Sequence, residues 1–217
     1  MRYKPRELMN GLTHCIAALL AVAGLVVLML RAVDPPRPLH LLSFFVFGTA
    51  LILLYLTSTA YHWAQCSVKG LQRLRRLDHI MIFVVIAATY TPICLIPLRG
   101  PWGWTLFGGI WALACAGVLM KMVWLQTPRW LSTTVYVAMG WLAVVAVYPL
   151  YRALQPAAFA WLVAGGLFYT AGALVYALKK PDLWPSAFGF HELFHVLVVM
   201  GSFSHFWVLY EYVVRID

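Results

Sequence analysis

Two histidines four residues apart, His191 and His195, open the last apolar run of the chain. On a helix they share one face, about 6 Å apart along the axis. That spacing lets two imidazoles hold one metal ion. A catalytic zinc takes three protein ligands and keeps a fourth position for water. His62 closes the second apolar run and is the natural third ligand, with Ser58 one helical turn before it on the same face. Asp78 and His79 open the third run. A carboxylate there costs about 2.5–3.5 kcal/mol if it faces lipid, so Asp78 needs a partner or an aqueous cavity. The segment His191-Glu192-Leu193-Phe194-His195 also matches HExxH, the zinc-protease signature in which Glu192 would be the general base. A protease usually takes its third ligand from downstream. There only His205, Glu211 and Asp217 remain, and His205 lies about 15 Å further along the helix. The protease is therefore the minor alternative. In the plainer reading Glu192 is a packing or buffering residue beside the site, and His205 is a buried hydrogen-bonding histidine.

These residues must be positioned by an unusually apolar chain. Of 217 residues 63% are hydrophobic and 11% charged, against about 45–50% and about 25% in ordinary soluble proteins. Mean hydropathy is +0.82. This composition excludes a soluble enzyme, a disordered chain and a disulfide-stapled secreted domain. Seven runs, over 12–30, 40–62, 79–97, 106–124, 131–149, 158–178 and 190–212, each approach the ~20 residues that cross a bilayer as a helix. They predict an all-α integral membrane protein, a single seven-helix domain over 1–217. Pro, Gly and charge mark the breaks, as in Asp34-Pro35-Pro36-Arg37-Pro38, Arg99-Gly100-Pro101 and Lys179-Lys180-Pro181-Asp182. The runs lack the apolar/polar alternation of a β-barrel. Arg2, Lys4 and Arg6 resemble a signal-peptide n-region, but the apolar run after them is long and no small-residue cleavage site follows, so an uncleaved first span is expected. Cys15, Cys66, Cys94 and Cys115 form no CxxC pair and read as apolar helix residues. Trp63, Trp102, Trp104, Trp130 and Trp184 fit interfacial belts.

The net charge of +9 reflects topology rather than nucleic-acid binding, because the basic residues sit in short loops with no dense tract. Arg2, Lys4, Arg6, Lys69, Arg73, Arg75, Arg76, Arg129, Lys179 and Lys180 fall on one side. Arg31, Arg37, Arg99, Arg152 and Arg215 fall on the other, and Lys121 lies inside the cytoplasmic end of span four. The bias predicts a cytoplasmic N-terminus and an external C-terminus. Even spans then end, and odd spans begin, at the cytoplasmic face. His14, His62, Asp78, His79, His191 and His195 share that one depth, and only His40 and His205 among the histidines lie elsewhere. Glu7, Asn10 and His14, at i, i+3 and i+7, face one way on entry to span one, where they cap helix ends or line the mouth of the site.

The same residues carry a family resemblance. The pieces are Glu7-Leu8-Met9-Asn10-Gly11-Leu12-Thr13-His14, Leu56-Thr57-Ser58-Thr59-Ala60-Tyr61-His62, Leu74-Arg75-Arg76-Leu77-Asp78-His79-Ile80, Ala88-Thr89-Tyr90-Thr91-Pro92 and Phe188-Gly189-Phe190-His191-Glu192-Leu193-Phe194-His195. They run nearly end to end, and the chain resembles the hemolysin III family, the bacterial branch related to the progestin and adiponectin receptors (PAQR-like). The resemblance implies a seven-helix fold in a bacterial inner membrane, with its N-terminus inside. It also implies Zn2+ held near the cytoplasmic face by His62, His191 and His195, with Asp78 as the water-positioning carboxylate and Ser58 as the nearby hydroxyl. The related receptors have no Glu at the position of Glu192. Glu7, Asn10, His14, His79 and Glu192 remain as supporting residues around the site.

Two function classes follow. One is a zinc-dependent hydrolase: zinc lowers the pKa of water to about 7, Asp78 accepts its proton, and Ser58 donates to the developing oxyanion. A site near the inner face suits a membrane lipid with its amide or ester at headgroup depth, and a more distant resemblance to membrane ceramidases favours an amide. The other class is non-catalytic: a cytolysin, as the family name suggests, or a protein of membrane-lipid homeostasis with a structural zinc. A pore would need a polar stripe along several spans, and the polar residues cluster at one end instead.

Overall fold

The computed structural model describes residues 7–184 and 188–216. Among them, seven helices are long and apolar enough to cross a membrane, and the protein is a multi-pass membrane protein. They are α1 (Leu8–Val33), α2 (Pro38–Trp63), α3 (Val68–Leu95), α4 (Pro101–Val123), α5 (Arg129–Ala153), α6 (Pro156–Leu178) and α7 (Phe190–Arg215). Pro38, Pro101 and Pro156 each stand at a first helical position, where the missing N–H costs nothing and the fixed φ suits the helix.

The helices overrun most of the apolar runs that signal them. The largest difference is at α3, whose apolar run begins at residue 79 but whose helix begins at Val68. Ser67 Oγ accepts the Gly70 N–H at 3.2 Å and caps that start. The basic segment before Asp78 is therefore about three helical turns rather than a loop. It is polar because it reaches the water. It is helical because Leu71, Leu74 and Leu77 recur at helical spacing.

Neighbouring helices in sequence pack together, and α1 also packs on α7 and α3 on α5. In the window that defines each span, α3 has 61% of its residues buried and α6 only 17%. This makes α3 the central post. The apolar core gathers Leu28, Phe44, Phe47, Phe83, Leu209 and Val213. At one end of the bundle, His40 donates to the Val213 carbonyl at 3.3 Å and Arg37 to the Val214 carbonyl, tying α2 to the end of α7.

Helix α5 is interrupted. It is α-helical over Arg129–Gly140, tightens to a 3-10 segment over Trp141–Ala146 and resumes over Val147–Ala153. Pro149 explains the break: it lacks an N–H, and its ring excludes the carbonyl of Val145. Tyr90 of α3 fills the gap. Its hydroxyl lies 3.0 Å and 2.8 Å from the Met139 and Gly140 carbonyls and accepts the Ala143 N–H at 2.9 Å. Backbone groups freed inside an apolar medium are thereby satisfied.

Candidate metal centre

The end opposite Val213 holds the polar residues. The start of α1, the end of α2, the first half of α3 and the start of α7 meet there. Gly11 makes the first contact possible: Trp63 of α2 lies over it so closely that a Cβ would fall 2.0 Å from the indole nitrogen. Trp63 Nε1–H donates to the Leu8 carbonyl at 3.1 Å, and the Glu7 N–H donates to the His62 carbonyl at 3.2 Å. The beginning of α1 is thus pinned to the end of α2.

His62, His191 and His195 come together. Each offers a ligand nitrogen, and these atoms all lie within 4.8 Å of one another. The ring centroids are 5.0 Å apart for His62 and His191, 5.1 Å for His62 and His195, and 4.8 Å for His191 and His195. Nitrogens on one tetrahedral zinc sit roughly 3.4 Å apart, so small ring rotations close the set on an ion. The histidine cluster is thus capable of coordinating a metal.

The outer partners fix the tautomers. Glu7 Oε2 lies 2.5 Å from His62 Nδ1 and also accepts from Asn10 Nδ2 at 3.4 Å. A carboxylate only accepts, so His62 donates from Nδ1 and leaves its Nε2 to face the other histidines. That Nε2 is buried with no hydrogen-bond partner among the described residues, which leaves it free to bind an ion. The Nδ1–H of His195 is directed at the Asn10 carbonyl, 3.2 Å away, and lies 3.1 Å from Thr13 Oγ1. Carboxylate or carbonyl partners of this kind orient metal-binding imidazoles and raise their basicity. The start of α1 therefore holds one imidazole of α2 and one of α7 in place.

A cavity of about 620 Å³ adjoins the cluster, bordered by Ser58, Asp78, His79, His191 and His195 among others. His62 stands behind this wall, against Glu7. Asp78 is half-buried and interacts with the Ser58 hydroxyl, with His62 and with Arg75. Its position in α3 thus gives it the polar neighbours that the membrane setting requires. His79 also borders the cavity; Tyr136 donates to its carbonyl at 3.2 Å, and its Nδ1 has no partner among the described residues. His14 stacks on His195 with ring centroids 3.6 Å apart, and both of its nitrogens are buried without a hydrogen bond among those residues.

Glu192 is the exception. Its Oε2 accepts the Gly189 N–H at 2.9 Å, capping the start of α7, and it does not border the cavity. In the first helical turn the carboxylate reaches back to an orphan backbone donor. One oxygen of the carboxylate that HExxH chemistry would use as its base thus accepts from the backbone. His205 behaves as its position predicts: its Nδ1–H donates to the Gly201 carbonyl at 2.8 Å, and its ring lies beside Gly165, where a Cβ would come within 2.3 Å. The four cysteines are free.

Several contributors have no sequence signal of their own. Thr13 becomes visible only once His195 is across from it. Tyr136 and Tyr176 look like ordinary aromatic residues. Lys121 had one available signal, as the single charged residue of an otherwise apolar span, yet its burial depends on Ser132 of α5, which accepts from its Nζ at 2.7 Å.

Comparison with known proteins places this geometry in a lineage. A family model described as Haemolysin-III related matches residues 2–206. The chain is 38% identical to "Hemolysin-3 homolog" of Bacillus subtilis (strain 168), over 97% of this chain and 95% of that one. It is 37% identical to "Hemolysin-3" of Bacillus cereus, over 98% and 94%. At 23% identity it also aligns with the human "Monocyte to macrophage differentiation factor", over 99% of this chain and 88% of the other. With a family match spanning nearly every helix and relatives that align end to end, the chain belongs to the haemolysin-III related family.

Proposed function

We propose that this protein is a zinc-dependent hydrolase of a membrane lipid, cleaving an amide or ester at headgroup depth. In this reading the histidine end faces the cytoplasm, the N-terminus lies inside and the C-terminus outside. The observation that carries it is the meeting of His62, His191 and His195, with ligand atoms within 4.8 Å of each other, beside a cavity that Asp78 and Ser58 also border.

Zinc held by these three imidazoles supplies Lewis acidity for a substrate carbonyl and lowers the pKa of a water. The chain's residues do the rest. Asp78 accepts a proton from the attacking water and delivers it to the leaving nitrogen or oxygen. The Ser58 hydroxyl, buried one turn below His62, donates to the charge that develops on the carbonyl oxygen. Glu7 and the Asn10 carbonyl hold two imidazoles in the tautomer that presents Nε2. Apolar residues such as Ile82, Val85 and Val198 border the cavity, where they receive an acyl chain and exclude bulk water.

The test is elemental analysis of detergent-purified protein, run beside His62→Ala and His191→Ala and followed by a lipid amidase and esterase screen. About one zinc per chain, lost in both variants, supports the site. Turnover that needs Asp78 supports the chemistry. Protein purified without chelator that carries no metal sinks the mechanism.

A second reading has its own observation. The histidines sit on α2 and α7, so one ion would clamp these two helices, and α1 would be tied in through its hydrogen bonds to the rings. A structural zinc in a lytic or lipid-homeostasis protein would use the same atoms, and the names of the two Bacillus relatives point that way. Dye release from liposomes that survives His62→Ala would favour a direct lytic action.

A further inference from the structure

The cavity has a second wall that the metal chemistry does not use. Lys121 of α4 borders it and is 1% exposed. A lysine near a helix end ordinarily extends its stem to carry the charge into water. This one turns inward and donates to Ser132 Oγ at 2.7 Å. Arg129, at the start of α5, borders the same cavity; its guanidinium lies 4.5 Å from the Tyr176 ring centroid and donates to the Tyr176 carbonyl at 3.1 Å. Arg75 stands at the exposed edge. His79, which borders the same cavity, lies within electrostatic range of all three cations.

Their counter-charges do not balance. Two carboxylates border the cavity, Glu7 and Asp78. Glu7 is bonded to His62, and Asp78 interacts with Arg75. Among the described residues, no carboxylate pairs with Lys121 or Arg129. Two cations held at a cavity within an apolar bundle are costly unless an anion meets them. A phosphate monoester carries about −1.5 to −2 at neutral pH and matches two cations; a single carboxylate would neutralise only one. Beyond this wall the cavity is lined by Ile82, Val85, Val137 and Val198, and its volume of about 620 Å³ falls within the ~300–1,000 Å³ of small-molecule sites.

From this placement we infer that the cavity takes a lipid bearing a phosphate monoester, its phosphate held by Lys121 and Arg129 and its acyl chain among the apolar residues beyond. The inference deepens the proposed hydrolase by naming its substrate class and rests on that reading for turnover, though not for binding.

Binding is therefore the measurement. Full-length protein in detergent micelles is titrated with oleoyl lysophosphatidate, monooleoylglycerol, oleate and inorganic phosphate, followed by thermal unfolding and native mass spectrometry. Lysophosphatidate is expected to bind at least ~10-fold more tightly than monooleoylglycerol or oleate, as charge-assisted bonds to phosphate should provide. Lys121→Met and Arg129→Gln should each erase most of that preference, and Lys121→Arg should keep it. Equal affinity for the three lipids overturns the inference, as does a preference that survives Lys121→Met. Inorganic phosphate that binds as tightly as lysophosphatidate would make the ligand free phosphate and remove the lipid. If Lys121→Met does not fold, the wild-type ranking and Arg129→Gln decide alone. His62→Ala separates the two ideas: it should lose metal yet keep the phosphate preference, so failure of the hydrolase leaves this result standing, and the reverse.

Discussion

His195 and His205 both border the cavity from α7, yet they are held in different ways. His205 spends its Nδ1–H on the Gly201 carbonyl, one turn back on its own helix, and stacks on Tyr169 at 5.5 Å. Its hydrogen bond is local and needs no other element. His195 directs its Nδ1–H across the bundle to the Asn10 carbonyl and Thr13 on α1, and its ring is packed by His14, His62 and His191. Burial does not sort them: His195 is buried, but His191 of the cluster is half-buried, as is His205. The separation lies in whether other helices aim the ring at a shared point.

The strongest way to break this comparison is to remove the rings. Ala at His62, His191 or His195 should each cause near-complete loss of bound metal, whereas His205→Ala should keep full occupancy; equal loss in all four, by elemental analysis, would erase the distinction. Asp78→Asn should retain metal and lower turnover of an identified lipid substrate by about 10²–10⁴-fold, as the loss of a general base does; full turnover would end its role. Glu7→Ala removes the acceptor of His62 and should weaken zinc affinity by about 10–100-fold in a chelator competition. An unchanged affinity would show that His62 needs no orienting partner. The smallest effect belongs to His205→Phe, where the lost hydrogen bond should lower stability by about 1 kcal/mol without touching metal content.

How far the sequence foretold this depends on what each signal measures. The seven spans were legible because bilayer thickness imposes a length and a polarity on every one of them. The start of α3 was not, because hydropathy reports where a helix is apolar and not where it begins; Ser67 and the leucine spacing carry that information instead. The three histidines and Asp78 were legible from shared depth, which topology supplies. The outer partners were only half legible. Glu7 and Asn10 could be placed at the entry to α1, but it is the Asn10 carbonyl rather than its side chain that meets His195, and backbone groups leave no mark on residue type. Glu192 shows a related limit: the HExxH pattern records spacing and is silent on the Gly189 N–H that its carboxylate accepts. Lys121 was placed at the right depth, but its inward turn depends on a serine of the next helix.

The pinning of α1 to the end of α2 has a consequence for how the protein is made. Glu7 and His62 precede His191 and His195 in the order of synthesis, with four membrane spans between His62 and His191. A nascent chain thus carries one oriented imidazole through the synthesis of four more spans before its companions arrive. An ion that needs all three imidazoles could be captured only after α7 has been made. Occupancy of such a site would then report that α7 had joined α1 and α2.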